Sequence, residues 1–172
     1  DWVLGGTYHI THRCHEKKFL LKFAKHRDLY LGFLREAAKK FRLKILDYAI
    51  TSNHVHLLIH VSKGARVSMA LQHAHGRMAQ AYNSVKKREG AFWKDRFHAT
   101  RIQNGAHLGK CLFYIGMNMT RAGVVESPLD WPHNGCREFF HEKEKKRIID
   151  MESLLKCLSM KDTERFRAWY KN

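Results

Sequence analysis

His54 and His56 stand one residue apart in the run His54-Val55-His56-Leu57-Leu58-Ile59-His60-Val61. On a strand side chains alternate, so His54, His56, Leu58 and His60 share one face while Val55, Leu57, Ile59 and Val61 fill the other. Residues i and i+2 lie about 6.6 Å apart along a strand, which lets two imidazoles converge on one divalent ion through bonds of roughly 2.0–2.2 Å. The competing reading is a half-buried strand showing ordinary polar residues to solvent. Three features favour the metal: the tight turn just before His54, the wholly apolar opposite face, and a basic chain. His60 is the weaker candidate.

Tyr114, Asn118 and Arg121 recur at spacings of four and three, a polar stripe opposite Leu108, Leu112, Ile115 and Met119 on one helix. A phenol attacks a phosphodiester well when a metal or base eases its ionisation and a cation neutralises the phosphate oxygens. His54 and His56 would hold that metal. Asn118, one turn after Tyr114, could add its carboxamide oxygen as a third ligand, or it could bridge backbone groups near the helix end. Taken alone, Tyr114 also reads as a structural aromatic with its hydroxyl at the rim.

The elements that would position these groups follow from periodicity. Thr7–Cys14 alternates as a first strand, with Tyr8, Ile10 and His12 on one side. His26–Arg42 carries Leu29, Tyr30, Phe33, Leu34, Ala37 and Phe41 at helical spacing. Leu43–Thr51 and His54–Val61 form a hairpin across Ser52-Asn53, and a second long helix, with Val67, Ala70, Leu71, Ala74, Met78, Ala81, Tyr82 and Val85 at helical spacing, runs from Val67 to a stop at Gly90. His98–Gln103 is a short strand and Gly105–Thr120 a third helix. This order predicts an α+β fold, a ferredoxin-like or RRM-like antiparallel sheet covered by helices. Lys143–Tyr170 reads as a peripheral helical tail. In His12-Arg13-Cys14-His15 neighbouring side chains face opposite sides of the strand, so no metal site is assigned there.

The 172 residues fit one domain, able to bury roughly two-thirds of the unfolded chain's surface. Lys and Arg number 32 against 16 Asp and Glu, a net charge of +16 that asks for a polyanion. Residues 51–122 hold 11 Lys and Arg against two acids, Glu89 and Asp95, so phosphate contacts should concentrate there. Four scattered cysteines indicate neither a zinc knuckle nor a disulfide framework, and a cytoplasmic protein with reduced thiols is expected. No apolar run approaches the ~18 residues of a membrane span, and no signal-peptide pattern opens the chain.

Three motifs, Ser52-Asn53-His54-Val55-His56-Leu57-Leu58, Trp93-Lys94-Asp95-Arg96-Phe97 and the stretch from Tyr114 to Val125, together resemble the single-tyrosine HUH transposases, above all the REP-associated tyrosine transposases. The resemblance covers roughly residues 5–135. It implies the HUH nuclease fold over 1–135, with 136–172 as a peripheral extension. It also implies a domain that binds single-stranded DNA at a folded hairpin and cuts beside it with Mg²⁺ or Mn²⁺. His54 and His56 match the paired metal ligands, Asn118 the third-ligand position, and Tyr114 the nucleophile that joins the 5′ phosphate and frees a 3′ hydroxyl. One departure is Met119, where the family usually has proline after the asparagine; methionine permits a further helical turn and could displace Asn118.

The expected DNA grip comes from Arg77, Lys86, Lys87 and Arg88 on the second helix and its exit, from Lys94 and Arg96, and from Arg121. Trp93 or Phe97 either stacks on an unpaired base or plugs the core edge. No ATP is needed, in keeping with the absence of a G-x-x-x-x-G-K-[ST] loop. The protein is expected to act as a monomer or homodimer, with Tyr114 able to reach the histidines in cis. Two rivals remain: a non-catalytic, domesticated single-stranded nucleic-acid-binding module, and an H-x-H phosphoesterase working through activated water.

Overall fold

A computed structural model of the protein describes residues 1–141 and 146–171. Four strands, β1 (Thr7–Arg13), β2 (Lys44–Ile50), β3 (His54–His60) and β4 (His98–Ile102), form one antiparallel sheet in the order β2-β3-β1-β4. The hairpin between β2 and β3 closes at Thr51, whose N–H donates to the His54 carbonyl at 2.9 Å. Register follows burial: Ile10 pairs with Leu57 and Tyr8 with Ile59, so apolar side chains of both strands share one face. Leu57, Ile59 and Ile10 are fully buried there. Burying each contributes roughly 1.5–3 kcal/mol relative to exposure.

Helices α1 (Ala24–Phe41) and α2 (Val67–Lys86) cover that face. Their buried stripes, Tyr30, Leu34, Ala37 and Phe41 on α1 and Val67, Ala70, Leu71, Ala74 and Met78 on α2, are those the spacing predicts. The second helix does not run on to Gly90. It stops where Lys87 turns left-handed at φ 48°, its N–H returned to the Asn83 and Ser84 carbonyls. Val85, which the spacing puts on the apolar stripe, is 71% exposed instead, in the last turn before the helix stops.

The predicted third helix is two: α3 (Ala106–Gly116) and α4 (Asn118–Arg121) meet at Met117, whose ψ of 3° leaves the helical range. The Asn134 amide takes the Gly116 carbonyl at 2.7 Å, holding the joint. This pair lies on the opposite face of the sheet, over His56 and Asp47. Beyond it come α5 (Cys136–Phe140), α6 (Met151–Cys157) and α7 (Thr163–Lys171). The tail holds the helices α6 and α7, preceded by a bridge from Ile149 to Ile45; its predicted start at Lys143 lies outside the described residues. Phe139, Leu154 and Phe166 are fully buried, and α7 seats on α3 where glycines leave room. A Cβ on Gly109 would stand 3.0 Å from the Trp169 ring, and one on Gly116 would strike the Tyr170 hydroxyl. No described helix is long and apolar enough to cross a membrane, and Cys14, Cys111, Cys136 and Cys157 are all free and buried.

Candidate active site

Strand alternation puts Thr7, His9, Thr11 and Arg13 of β1 on the same face as His54 and His56, and the register sets Thr11 opposite His56 and Arg13 opposite His54. A cleft of about 400 Å³ opens over this face, lined among others by Thr11, Arg13, His54, His56, Arg96 and Tyr114. The His54 and His56 rings stand 4.7 Å apart.

Each ring is oriented through its Nδ1. His54 Nδ1 lies 2.7 Å from Asn53 Oδ1. The amide oxygen can only accept, so Nδ1 carries the proton and Nε2 the lone pair. His56 Nε2 receives the Asn118 amide at 3.1 Å, which leaves its Nδ1–H to donate to His9 Nε2 at 3.0 Å. Both histidines therefore hold Nε2 as the lone-pair nitrogen. Burial keeps them neutral: it pulls His54 down to about 4, helped by the charge of Arg13, and His56 down to about 2, helped by His54, His9 and Arg13. Two neutral imidazoles with second-sphere acceptors on Nδ1 are the state a metal ligand needs. Among the described residues no three His, Cys, Asp or Glu are placed to hold one metal ion, so a third donor must be of another kind. Asn118 is beside His56 already, and turning its amide over would offer Oδ1 in place of the N–H. The donor set fits a divalent cation.

Asn118 keeps this place although Met119 stands where proline is usual. The joint at Met117 falls one residue before Asn118, and the further turn that methionine permits follows it as α4. Tyr114 sits on the last turn of α3, 43% exposed, its ring 5.8 Å from His56 and 6.0 Å from His9. The Arg121 guanidinium lies over the phenol at 5.1 Å.

Other predicted contacts divide. Lys94 and Arg96 are exposed and line the cleft. Lys86 and Lys87 are exposed at the α2 exit, while Arg88 is tied back to Asn83 at 2.8 Å. Arg77 lies across the molecule from the cleft, over the Phe33 ring at 4.9 Å and 3.9 Å from Glu36. Trp93 and Phe97 are half-buried and pack on other rings. Trp93 lies flat on His12 at 4.3 Å, its indole N–H on the His75 carbonyl, and Phe97 rests on Trp2. Sequence reading passed over His9. Its only signal was the polar alternation of β1, which acquires meaning once β1 is paired with β3.

The chain matches, over residues 3–118, the family described as Transposase IS200 like. It belongs to that family, one of DNA-cleaving enzymes. The structure of a REP-associated tyrosine transposase bound to a REP hairpin shares the fold, with a TM-score of 0.70 at 17% identity over 85% of this chain and 86% of that one. A candidate transposase from Deinococcus radiodurans R1 aligns at a TM-score of 0.48 and 16% identity, over 72% of this chain and 88% of that one. A search of curated proteins gives no match.

Proposed function

We propose that this transposase-family protein cuts and rejoins single-stranded DNA beside a hairpin, with Tyr114 as the nucleophile, residues 1–135 as the catalytic domain and 136–172 as its extension. One observation carries the reading: Tyr114, His56 and Arg121 meet at one cleft, the phenol ring 5.8 Å from a neutral imidazole and 5.1 Å under a guanidinium. His54, His56 and Asn118 would hold Mg²⁺ or Mn²⁺, which when bound would polarise the scissile phosphate. Imidazole and amide donors favour Mn²⁺ over Mg²⁺, which prefers an all-oxygen octahedron.

Tyr114 Oη then forms a bond to phosphorus as the bond to the 3′ oxygen breaks in line. The phenolic proton passes to solvent, and the departing 3′ oxygen gains one from water. A second 3′ hydroxyl reverses the step on the phosphotyrosine, so no energy cofactor is consumed. Arg121 neutralises phosphate charge as the phenolate develops, and Lys94 and Arg96 hold the backbone along the cleft. His9 holds His56 in its lone-pair-outward tautomer. The placing of tyrosine and histidines within one chain supports attack in cis, and either a monomer or a homodimer would serve. The cytoplasm is the expected compartment. The test is a denaturation-resistant protein–DNA adduct from a single-stranded hairpin substrate and Mn²⁺. Tight binding without an adduct would point to a non-catalytic module, and cleavage by Tyr114→Phe would point to water as nucleophile.

A further inference from the structure

Between β1 and α1 the chain reads Lys17-Lys18-Phe19-Leu20-Leu21-Lys22-Phe23-Ala24-Lys25. Leu20 and Leu21 are buried, 9% and 0% exposed, whereas Phe19 and Phe23 on either side are 65% and 53% exposed. A turn from the Phe19 carbonyl to the Lys22 N–H, 3.1 Å, throws the two rings outward around that apolar anchor. A soluble chain gains nothing in stability from leaving two phenylalanines in water. Lysines flank them: Lys22 and Lys86 each place Nζ 5.9 Å from the Phe23 ring, and Lys86 brings in the basic exit of α2 beside Val85. The loop's acid, Glu16, is bridged to Lys18 and His15.

The loop is also fastened to the strand turn that presents the metal-ligand candidates. Leu21 N–H donates to the Ser52 carbonyl at 2.9 Å, Cys14 N–H to the Asn53 carbonyl at 2.8 Å, and the Asn53 amide to the Lys17 carbonyl at 3.2 Å. Asn53 is the residue whose side-chain oxygen orients His54. A basic, aromatic-bearing loop thus joins the turn before His54 to the end of α2.

We propose that Phe19 and Phe23, with Lys22 and Lys86, form a stacking platform for unpaired bases of the single-stranded DNA flanking the hairpin. It is a sequence-tolerant second contact that lies outside the cleft and rests on the cleavage reading above. Charge favours this occupant, since an exposed apolar pair ringed by lysines suits a polyanion with flat apolar faces. A second copy of the chain would bring the same lysines against themselves.

The test is equilibrium binding in EDTA, where no cleavage occurs, of a DNA hairpin with and without a ten-thymidine flank on either side. Wild type should bind one flanked form more tightly than the bare hairpin. The exposed double variant Phe19→Ala/Phe23→Ala should lose that gain, about tenfold or more, with bare-hairpin affinity unchanged. Phe19→Tyr/Phe23→Tyr should keep the gain and Phe19→Leu/Phe23→Leu should not. Equal flank gain in wild type and the alanine variant would overturn the platform. So would rescue by leucine, or a wild-type dimer that the alanine variant dissolves. Adduct formation by wild type with no flank gain sinks the platform and leaves the cleavage reading; flank gain with no adduct does the reverse.

Discussion

The sheet carries a histidine cluster on each face, and the two differ in what their ring nitrogens have left to offer. On the α1/α2 face, Tyr30 Oη–H donates to His75 Nε2 at 2.9 Å, His75 Nδ1–H to His12 Nδ1 at 2.9 Å, and His12 Nε2–H to the Asp95 carbonyl at 2.7 Å. Every ring nitrogen is used once, in an all-neutral chain that burial favours. On the α3 face, His54 and His56 spend Nδ1 on Asn53 and His9 and leave Nε2 toward a cleft, with only an exchangeable amide on one of them. Residue type is alike on both faces, and burial differs: His12 and His75 are buried, as is His56, while His9 and His54 are half-buried. Unspent coordination, an open cleft and an adjacent phenol set the α3 face apart from the α1/α2 face.

Substitutions should divide along the same line. Tyr114→Phe should abolish the DNA adduct, a loss of about a thousandfold or more, and His56→Ala should do nearly the same while hairpin binding stays within about threefold, because backbone contacts carry most of the affinity. Mixing these two variants should restore nothing if attack is in cis; recovery of adduct would place the tyrosine across a dimer. His9→Ala should raise the Mn²⁺ concentration needed for half-maximal cleavage by about 10–100-fold, as loss of a second-sphere partner does; an unchanged metal titration would reduce His9 to packing. On the other face, His12→Ala strands His75 Nδ1 and the Asp95 carbonyl. It should lower stability by roughly 1–3 kcal/mol, read as a fall in midpoint denaturant, with adduct formation retained once folded.

The faces should behave alike toward acid. His9, His12, His54, His56 and His75 all titrate below their ordinary value of 6.5 in the folded chain. Between 6.5 and those lower values the unfolded chain binds more protons. Stability is therefore complete above about pH 6.5 and drains as pH falls toward 4 and below. Asp47, pushed up by burial, pulls the opposite way but is outnumbered. Melting temperature measured across this window should drop toward the acid side; a flat profile would mean that the histidines are not buried as described.

Much of this was legible in the sequence, because strand alternation and helical spacing are local. They place the β2–β3 hairpin, the α1 and α2 core stripes, His54 with His56, and Tyr114 with Asn118 and Arg121. What escaped depends on contacts distant in sequence. His9 gains its role from pairing with a strand nearly fifty residues on. Trp93 packs on His12 and His75, and Arg77 on Phe33 beside Glu36, contacts that sequence spacing does not show. The joint at Met117 depends on Asn134, and the seating of α7 depends on Gly109 and Gly116, neither of which has a pattern of its own.

The central claim is tested most directly by mapping the covalent bond. Wild-type protein incubated with a single-stranded hairpin substrate and Mn²⁺, then digested and analysed by mass spectrometry, should yield a peptide bearing a 5′-phosphorylated nucleotide on Tyr114. A nucleotide on any other residue, or cut DNA with no adduct, would contradict it.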